Sequence, residues 1–258
     1  MIQEQTALHS RHDIERRFHD KKATSDHTSD RRDFYSAGGL DLVWSSFLTA
    51  IGDLQGKNVL EVGCGEGWST LEYARRGAVV YPFDISPESV RNLMRAVNNT
   101  GMSKQISSAV MAAEYLGYPD DTFDFVLGAS ILHHTDLQYV AREVVRVLKP
   151  GGRALFIEPL AHNWLLQVFR WLTPQRRTPT EQPMTVTQIT NFGRSFGSAT
   201  FRGYHLLSVL PQGLLWVTGN QWLFRWSLRI TEAVDRWLLK ACPFIQRYCW
   251  AAIIDVKK

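Results

Sequence analysis

Cysteine is scarce in this chain: Cys64, Cys242 and Cys249 are the only three among 258 residues. Three cannot build a disulfide framework, and no His, Cys, Asp or Glu cluster has metal-ligand spacing. The sequence therefore predicts a reducing, cytoplasmic compartment and no metal site. Long apolar runs are also missing. The opening stretch MIQEQTALHSRHDIERRFHDKKA is polar, with no h-region of a signal peptide. The longest stretch without Asp, Glu, Lys or Arg, residues 203–224, is interrupted by His205, Pro211, Gln212, Asn220 and Gln221, which argues against a membrane-spanning helix. Excess charge of one sign is small: 29 Lys and Arg against 25 Asp and Glu, net +4. Basic residues run no further than pairs such as Arg16-Arg17 and Arg31-Arg32, and nucleic acid is not an expected partner. No internal repeat and no low-complexity tract appears.

What is present is an ordinary globular composition, 45% hydrophobic and 21% charged, on a chain long enough for one decorated domain. Residues 1–33 read as a polar, partly helical lead-in, and 40–51 as a helix. Strand-like runs at 57–62, 78–84, 105–111, 123–128 and 153–157 then alternate with helical stretches at 68–76, 86–98 and 136–148. That alternation predicts an α/β fold, an open, doubly wound, mostly parallel sheet with helices on both faces. A short apolar helix is expected at 163–172, a proline-rich loop at 173–184, strands at 200–210 and 248–256, and a helix at 221–240 between them.

The most informative stretch is VLEVGCGEGWST, residues 59–70. Gly63, Gly65 and Gly67 free the backbone to turn tightly and to approach a ligand where a strand ends. The spacing departs from the G-x-G-x-x-G of a dinucleotide loop: the third glycine comes one residue early, and Trp68 fills its place. Glu61 just before the loop would repel a pyrophosphate but welcome a cation. Asp84, at the end of the second strand, stands where an acid reaches ribose hydroxyls. A ligand with a ribose, no phosphate and a positive group satisfies all three conditions, and S-adenosylmethionine is such a ligand.

The stretch resembles the first motif of class I S-adenosylmethionine-dependent methyltransferases. VVYPFDIS, AAEYLGYPDDTFDFV, SILHHTDL and REVVRVLKPGGRALFIEP resemble later segments of the same family in order and spacing. The likeness covers about residues 40–160, and within the family it is nearest to the small-molecule and lipid branch containing ubiquinone and menaquinone C-methyltransferases. It implies a Rossmann-like seven-stranded sheet with helical additions at the N-terminus and in the C-terminal third. It also implies a polar lead-in at 1–38, a cofactor-binding core at 39–160 and a substrate or interface region at 161–258. Glu61 would hold the methionine amino end, directly or through water, and Gly63 and Gly65 would pass beneath the methionine portion. Asp84 would bind the ribose, Ile85 would pack on adenine, Ala113 and Glu114 would lie at the adenine edge, and Ser130 would line the pocket. Many relatives carry an Asp where this chain has Ala112.

The implied activity is methyl transfer from S-adenosylmethionine to an O or C atom of a small, apolar acceptor; the alternative is a non-catalytic S-adenosylmethionine-binding partner or regulator. His133 and His134, just past the fourth strand, are the candidate bases, with His162 a weaker one. Phe34 and Tyr35 could fold over the cofactor as a lid. Trp68 would cover the pocket or pack its helix, and Cys64 reads as a small buried filler.

Seven of nine tryptophans follow residue 160. In the helix expected at 221–240, Arg225, Arg229, Glu232, Arg236 and Lys240 form one stripe. Trp222, Trp226, Ile230, Ala233, Val234, Trp237 and Leu238 form another. Three roles for the aromatic stripe stay open: core against the sheet, wall of an apolar acceptor pocket, or contact with a membrane surface.

Overall fold

The structure, a computed structural model, describes residues 2–24, 37–176 and 178–258; Phe34 and Tyr35 lie outside them. Helix α1 (Ile2–Thr24) is followed by α2 (Asp41–Ile51), β1 (Asn58–Val62), α3 (Trp68–Arg75), β2 (Val79–Asp84), α4 (Pro87–Asn98), β3 (Ala109–Val110), β4 (Phe123–Ala129), α5 (Leu137–Val147) and β5 (Leu148–Pro159). The last hundred residues hold α6 (Trp164–Leu172), α7 (Val186–Gly193), β6 (Ser198–Tyr204), α8 (Pro211–Thr218), α9 (Gln221–Ala241) and β7 (Ala251–Lys257).

The seven strands lie in the order β3-β2-β1-β4-β5-β7-β6. All neighbours run parallel except β7, which is antiparallel to both β5 and β6. The order reverses between β1 and β4, and that reversal opens a crevice at the carboxyl ends of the strands. The strands are apolar because both faces are covered. Leu60 and Val62 face a core with Phe123, Val144, Phe156 and Ile254, while Val59 faces a second core with Phe47, Tyr73, Leu127 and Leu155. Ser86 accepts from the Ser89 N–H and Pro87 opens α4, as the Ser-Pro pair predicts.

Several expectations need correction. Within the lead-in, residues 2–24 form one continuous 23-residue helix, and residues 25–36 lie outside the described ones. The third strand shrinks to two residues, with Ile106 making a separate bridge to Val80. Helices α7 and α8 form at 186–193 and 211–218, where no element was expected. Thr185 and Gln188 build a reciprocal capping box that starts α7, and Pro211 starts α8.

The largest correction concerns α9. Its inner side is Phe224, Leu228 and Asp235, not the tryptophans. Phe224 and Leu228 join Leu215 and Ala37 in a small core. The Asp235 carboxylate accepts the backbone N–H groups of Leu206, Leu207 and Ser208 at 2.8–3.1 Å. Three backbone donors outweigh the cost of burying that acid. Once Asp235 faces inward, helical geometry turns Trp222, Trp226 and Trp237 outward. The stripe is therefore not core.

Candidate active site

A cavity of about 420 Å³ lies at the switch point, walled by the glycine loop, the ends of β2 and β4, and one face of α1. A larger, open hollow of about 630 Å³ lies between α2 and the β6–β7 edge, away from every residue singled out for chemistry.

Gly65 sits at φ +50°, and a Cβ there would meet nothing within 4 Å, so its bare face opens toward the cavity it lines. Its N–H donates to Asp84 Oδ2 at 3.0 Å, and the Ser86 N–H donates to Oδ1 at 2.9 Å. Two backbone donors fix the carboxylate and leave lone pairs for a ligand's hydroxyls. Gly67 does different work: at φ +85° a Cβ would stand 2.2 Å from Leu93 Cδ1, so this glycine lets α3 and α4 pack closely and does not line the cavity.

Glu61 also stays off the cavity. Strand alternation turns it beneath the first turn of α3, where it accepts from the Ser69 and Thr70 hydroxyls. Burial pushes its carboxyl up to about 7 despite those bonds, and Asp84 adds to the rise. Of its two hydroxyl partners, Ser69 reaches the cavity wall. Gly63, Asp84, Ile85, Ala113, Glu114, Ser130 and His134 all line it, as do Cys64 and the half-exposed Trp68. Burial pushes the Cys64 thiol far up, which leaves it unreactive.

The end of β4 is strained. Ser130 holds φ +56°, a left-handed conformation that costs a non-glycine residue on the order of 1–3 kcal/mol. Glu158, wholly buried on β5, offsets it. Its carboxylate accepts the N–H groups of Ile131 and Leu132 at 2.9 and 2.8 Å and lies 2.6 Å from His133 Nδ1. His133 is thus committed to this clamp and does not line the cavity; His134 does. His162 lies away from the cavity, near the Tyr248 ring.

Sequence reasoning missed α1. It brings His12, Glu15, His19, Lys22 and Ala23 to the cavity. Glu15 is 4% exposed and accepts from the Thr178 and Thr180 hydroxyls. Its Oε2 lies 3.0 Å from His134 Nδ1, though not in hydrogen-bonding alignment, and 3.6 Å from His19 Nε2. Burial would raise the Glu15 carboxyl, but His134, His19 and Thr180 more than offset that and hold it well below the usual carboxylate range. Burial lowers the His134 imidazole, against the opposing pull of Glu15. At neutral pH the pair is a carboxylate beside a neutral imidazole, the protonation state of a general base with its orienting acid. Glu114, expected at the adenine edge, also meets α1: its Oε2 lies 3.0 Å from His12 Nε2 while Oε1 accepts the Asp136 N–H. The missed signal was a spacing: His12, Glu15 and His19 recur at three and four residues, one polar helical face.

The fold also gathers two donor sets that no local spacing announces. Glu15, His19 and His134, and likewise His133, His134 and Glu181, place ligand atoms within 4.8 Å of one another. In the first, hydroxyls already engage one oxygen of Glu15; in the second, Arg170 engages Glu181.

The sheet order, the glycine loop and an acid at the end of β2 define the class I methyltransferase fold. Residues 60–156 match the family model described as a methyltransferase domain. Residues 60–156 thus carry a methyltransferase domain, set in the fold of the class I S-adenosylmethionine-dependent methyltransferases. Among curated proteins it is 37% identical over 100 residues to the methyltransferase GfsG of Streptomyces halstedii, covering 38% of this chain and 36% of that one. It is 34% identical over 137 residues to the ubiquinone/menaquinone biosynthesis C-methyltransferase UbiE of Cellvibrio japonicus, covering 50% and 55%. The chain thus spans about a third to a little over half the length of such relatives. In fold it is similar to the geranyl diphosphate C-methyltransferase of Streptomyces coelicolor A3(2), with a TM-score of 0.63 at 13% identity, covering 96% and 97% of the two chains. It is also similar to the [4+2]-cyclase SpnF, with a TM-score of 0.57 at 22% identity, covering 90% and 85%.

Proposed function

We propose that this chain transfers a methyl group from S-adenosylmethionine to an oxygen or carbon atom of a small, apolar acceptor, such as a quinone, prenyl or other secondary-metabolite precursor. One observation carries the catalytic reading: a nucleoside cradle and a neutral imidazole backed by a carboxylate face the same cavity.

Asp84 would hold the ribose. Gly63, Gly65 and Ser69 would take the amino-acid portion, and Ile85, Met111 and Ala113 the adenine. When bound, S-adenosylmethionine supplies a methyl group already activated by its sulfonium. The protein's own work is then positioning and exclusion of water, and α1, which forms one wall of the cavity, would serve both. Glu15 keeps its carboxylate on the Nδ1 side of His134, and the other ring nitrogen takes the proton from an acceptor hydroxyl or acidic carbon.

The test is formation of S-adenosylhomocysteine from S-adenosylmethionine with reduced naphthoquinones, benzoquinols and prenyl diphosphates as acceptors. Turnover with one of them, abolished in His134→Ala, is the expected result. Tight binding of S-adenosylmethionine with no turnover on any acceptor would favour a non-catalytic, cofactor-binding role. The likeness to a [4+2]-cyclase adds only that this fold does not by itself fix the activity it houses.

A further inference from the structure

Helices α6, α8 and α9 and the turn Pro243–Tyr248 form a continuous set of elements. Helix α8 packs beside α9, and Phe169 of α6 stacks on Trp216 of α8 with ring centres 5.9 Å apart. Asn163, which caps α6, donates to the Tyr248 carbonyl at 2.9 Å. On these elements stand Trp164, Trp171, Trp216, Trp222, Trp226 and Trp237, each between 49% and 78% exposed, together with exposed Phe244. They comprise six of the seven tryptophans that follow residue 160.

At about 100° per residue, α9 divides into three stripes. Phe224, Leu228 and Asp235 face inward and fasten the helix to the domain. Trp222, Trp226, Ile230 and Trp237 form an exposed apolar stripe, and Arg225, Arg229, Arg236 and Lys240 run directly alongside it. Among the described residues none of the four forms a close salt bridge, and the one acid of that stripe, Glu232, is half-buried; none of the four elements carries an exposed carboxylate. The aromatic face is therefore presented rigidly, bordered by four cations against one half-buried carboxylate, Glu232, which Arg229 and Arg236 partly offset.

We propose that this face docks the protein onto an anionic lipid bilayer, with α9 lying in the plane of the surface. The indole rings would sit at the headgroup boundary and the arginines would meet lipid phosphates. No helix among the described residues is long and apolar enough to cross a membrane, which fits a helix that lies on one. A second copy of the chain is the poorer occupant, because a two-fold contact across this face would bring like charges together. The docking stands independently of the methyl-transfer reading.

The test is flotation of the whole chain with vesicles of phosphatidylcholine alone, or of phosphatidylcholine with phosphatidylglycerol. Flotation is expected with the anionic vesicles at low salt, falling by about tenfold or more at high salt. Trp222→Ala/Trp226→Ala/Trp237→Ala should weaken it by about tenfold or more on these vesicles. Arg225→Gln/Arg229→Gln/Arg236→Gln should weaken it on anionic vesicles only, and decides the matter if the first variant fails to fold by circular dichroism. No flotation of the wild type with anionic vesicles at low salt overturns the proposal. So does equal flotation on both lipid mixtures, or a folded arginine variant that floats like the wild type. A wild-type dimer that does not float, and that the tryptophan substitutions split, overturns it in favour of self-association.

Discussion

Helices α1 and α9 are similar in length, 23 and 21 residues, and are laid down in opposite senses. The polar helix turns inward. Among the described residues of α1 only Leu8 and Glu15 are buried, and the helix is held by polar bonds: Arg11 to the Thr135 carbonyl, Ser86 to Asp20, and Asn92 to the Ala23 carbonyl. The aromatic helix turns its richest face outward and is held by a buried aspartate. Hydrophobic patterning alone would place both helices the other way round. Such departures concentrate where a protein meets something else, and here each inverted helix borders a candidate binding surface.

The comparison breaks first at α1. If its inward polar face serves chemistry, His134→Ala should cost about 100- to 10,000-fold in methyl transfer with little change in cofactor affinity, read from kcat and a binding titration. Glu15→Gln should cost less in kcat but leave a signature. Glu15 raises the His134 imidazole, so removing its charge should move the acid limb of the rate profile to lower pH. Aspartate 84 is next in size. Two charge-assisted hydrogen bonds are worth about 3 kcal/mol together, so Asp84→Ala should weaken cofactor binding about a hundredfold. At α9 the sign reverses. The tryptophan triple variant that loses vesicle binding should keep its melting temperature within a few degrees, since those rings contribute little to the folded core.

Acid sharpens the comparison from the α9 side. His205, buried near Asp235, is lowered by burial from 6.5 to about 4 although Asp235 pulls it up. The unfolded chain therefore binds the proton first. Stability should hold above pH 6.5 and fall as pH drops toward 4, by about 3 kcal/mol from this group. His134 is lowered too and adds to the loss over the same range, while Glu15, a carboxyl held low, adds its loss only below the ordinary carboxylate range. Urea titrations across this range would measure it.

Much of the cofactor half was legible because local rules and tertiary demands agree there. The glycines at 63–67, the cap at Ser86-Pro87 and the acid ending β2 each state their own geometry. Glu61 stood out in the sequence but not its direction, which strand alternation and two hydroxyls decide and which takes it off the cavity. Glu158 was hidden because its partners are the backbone of residues 131–133, and backbone leaves no mark in a sequence. The role of α1 was obscured by its lack of an apolar face, though the spacing of His12, Glu15 and His19 was open to view. The orientation of α9 turned on Asp235, whose three donors lie in a loop some thirty residues upstream.

The central claim is that the cavity at the sheet's switch point holds a phosphate-free nucleoside through Asp84. Isothermal titration calorimetry of S-adenosylhomocysteine into the intact chain and into folded Asp84→Ala tests it most directly. Saturable heat in the first and about a hundredfold weaker binding in the second is the expected result. No heat from the well-folded chain, or equal affinity in the two proteins, would contradict it.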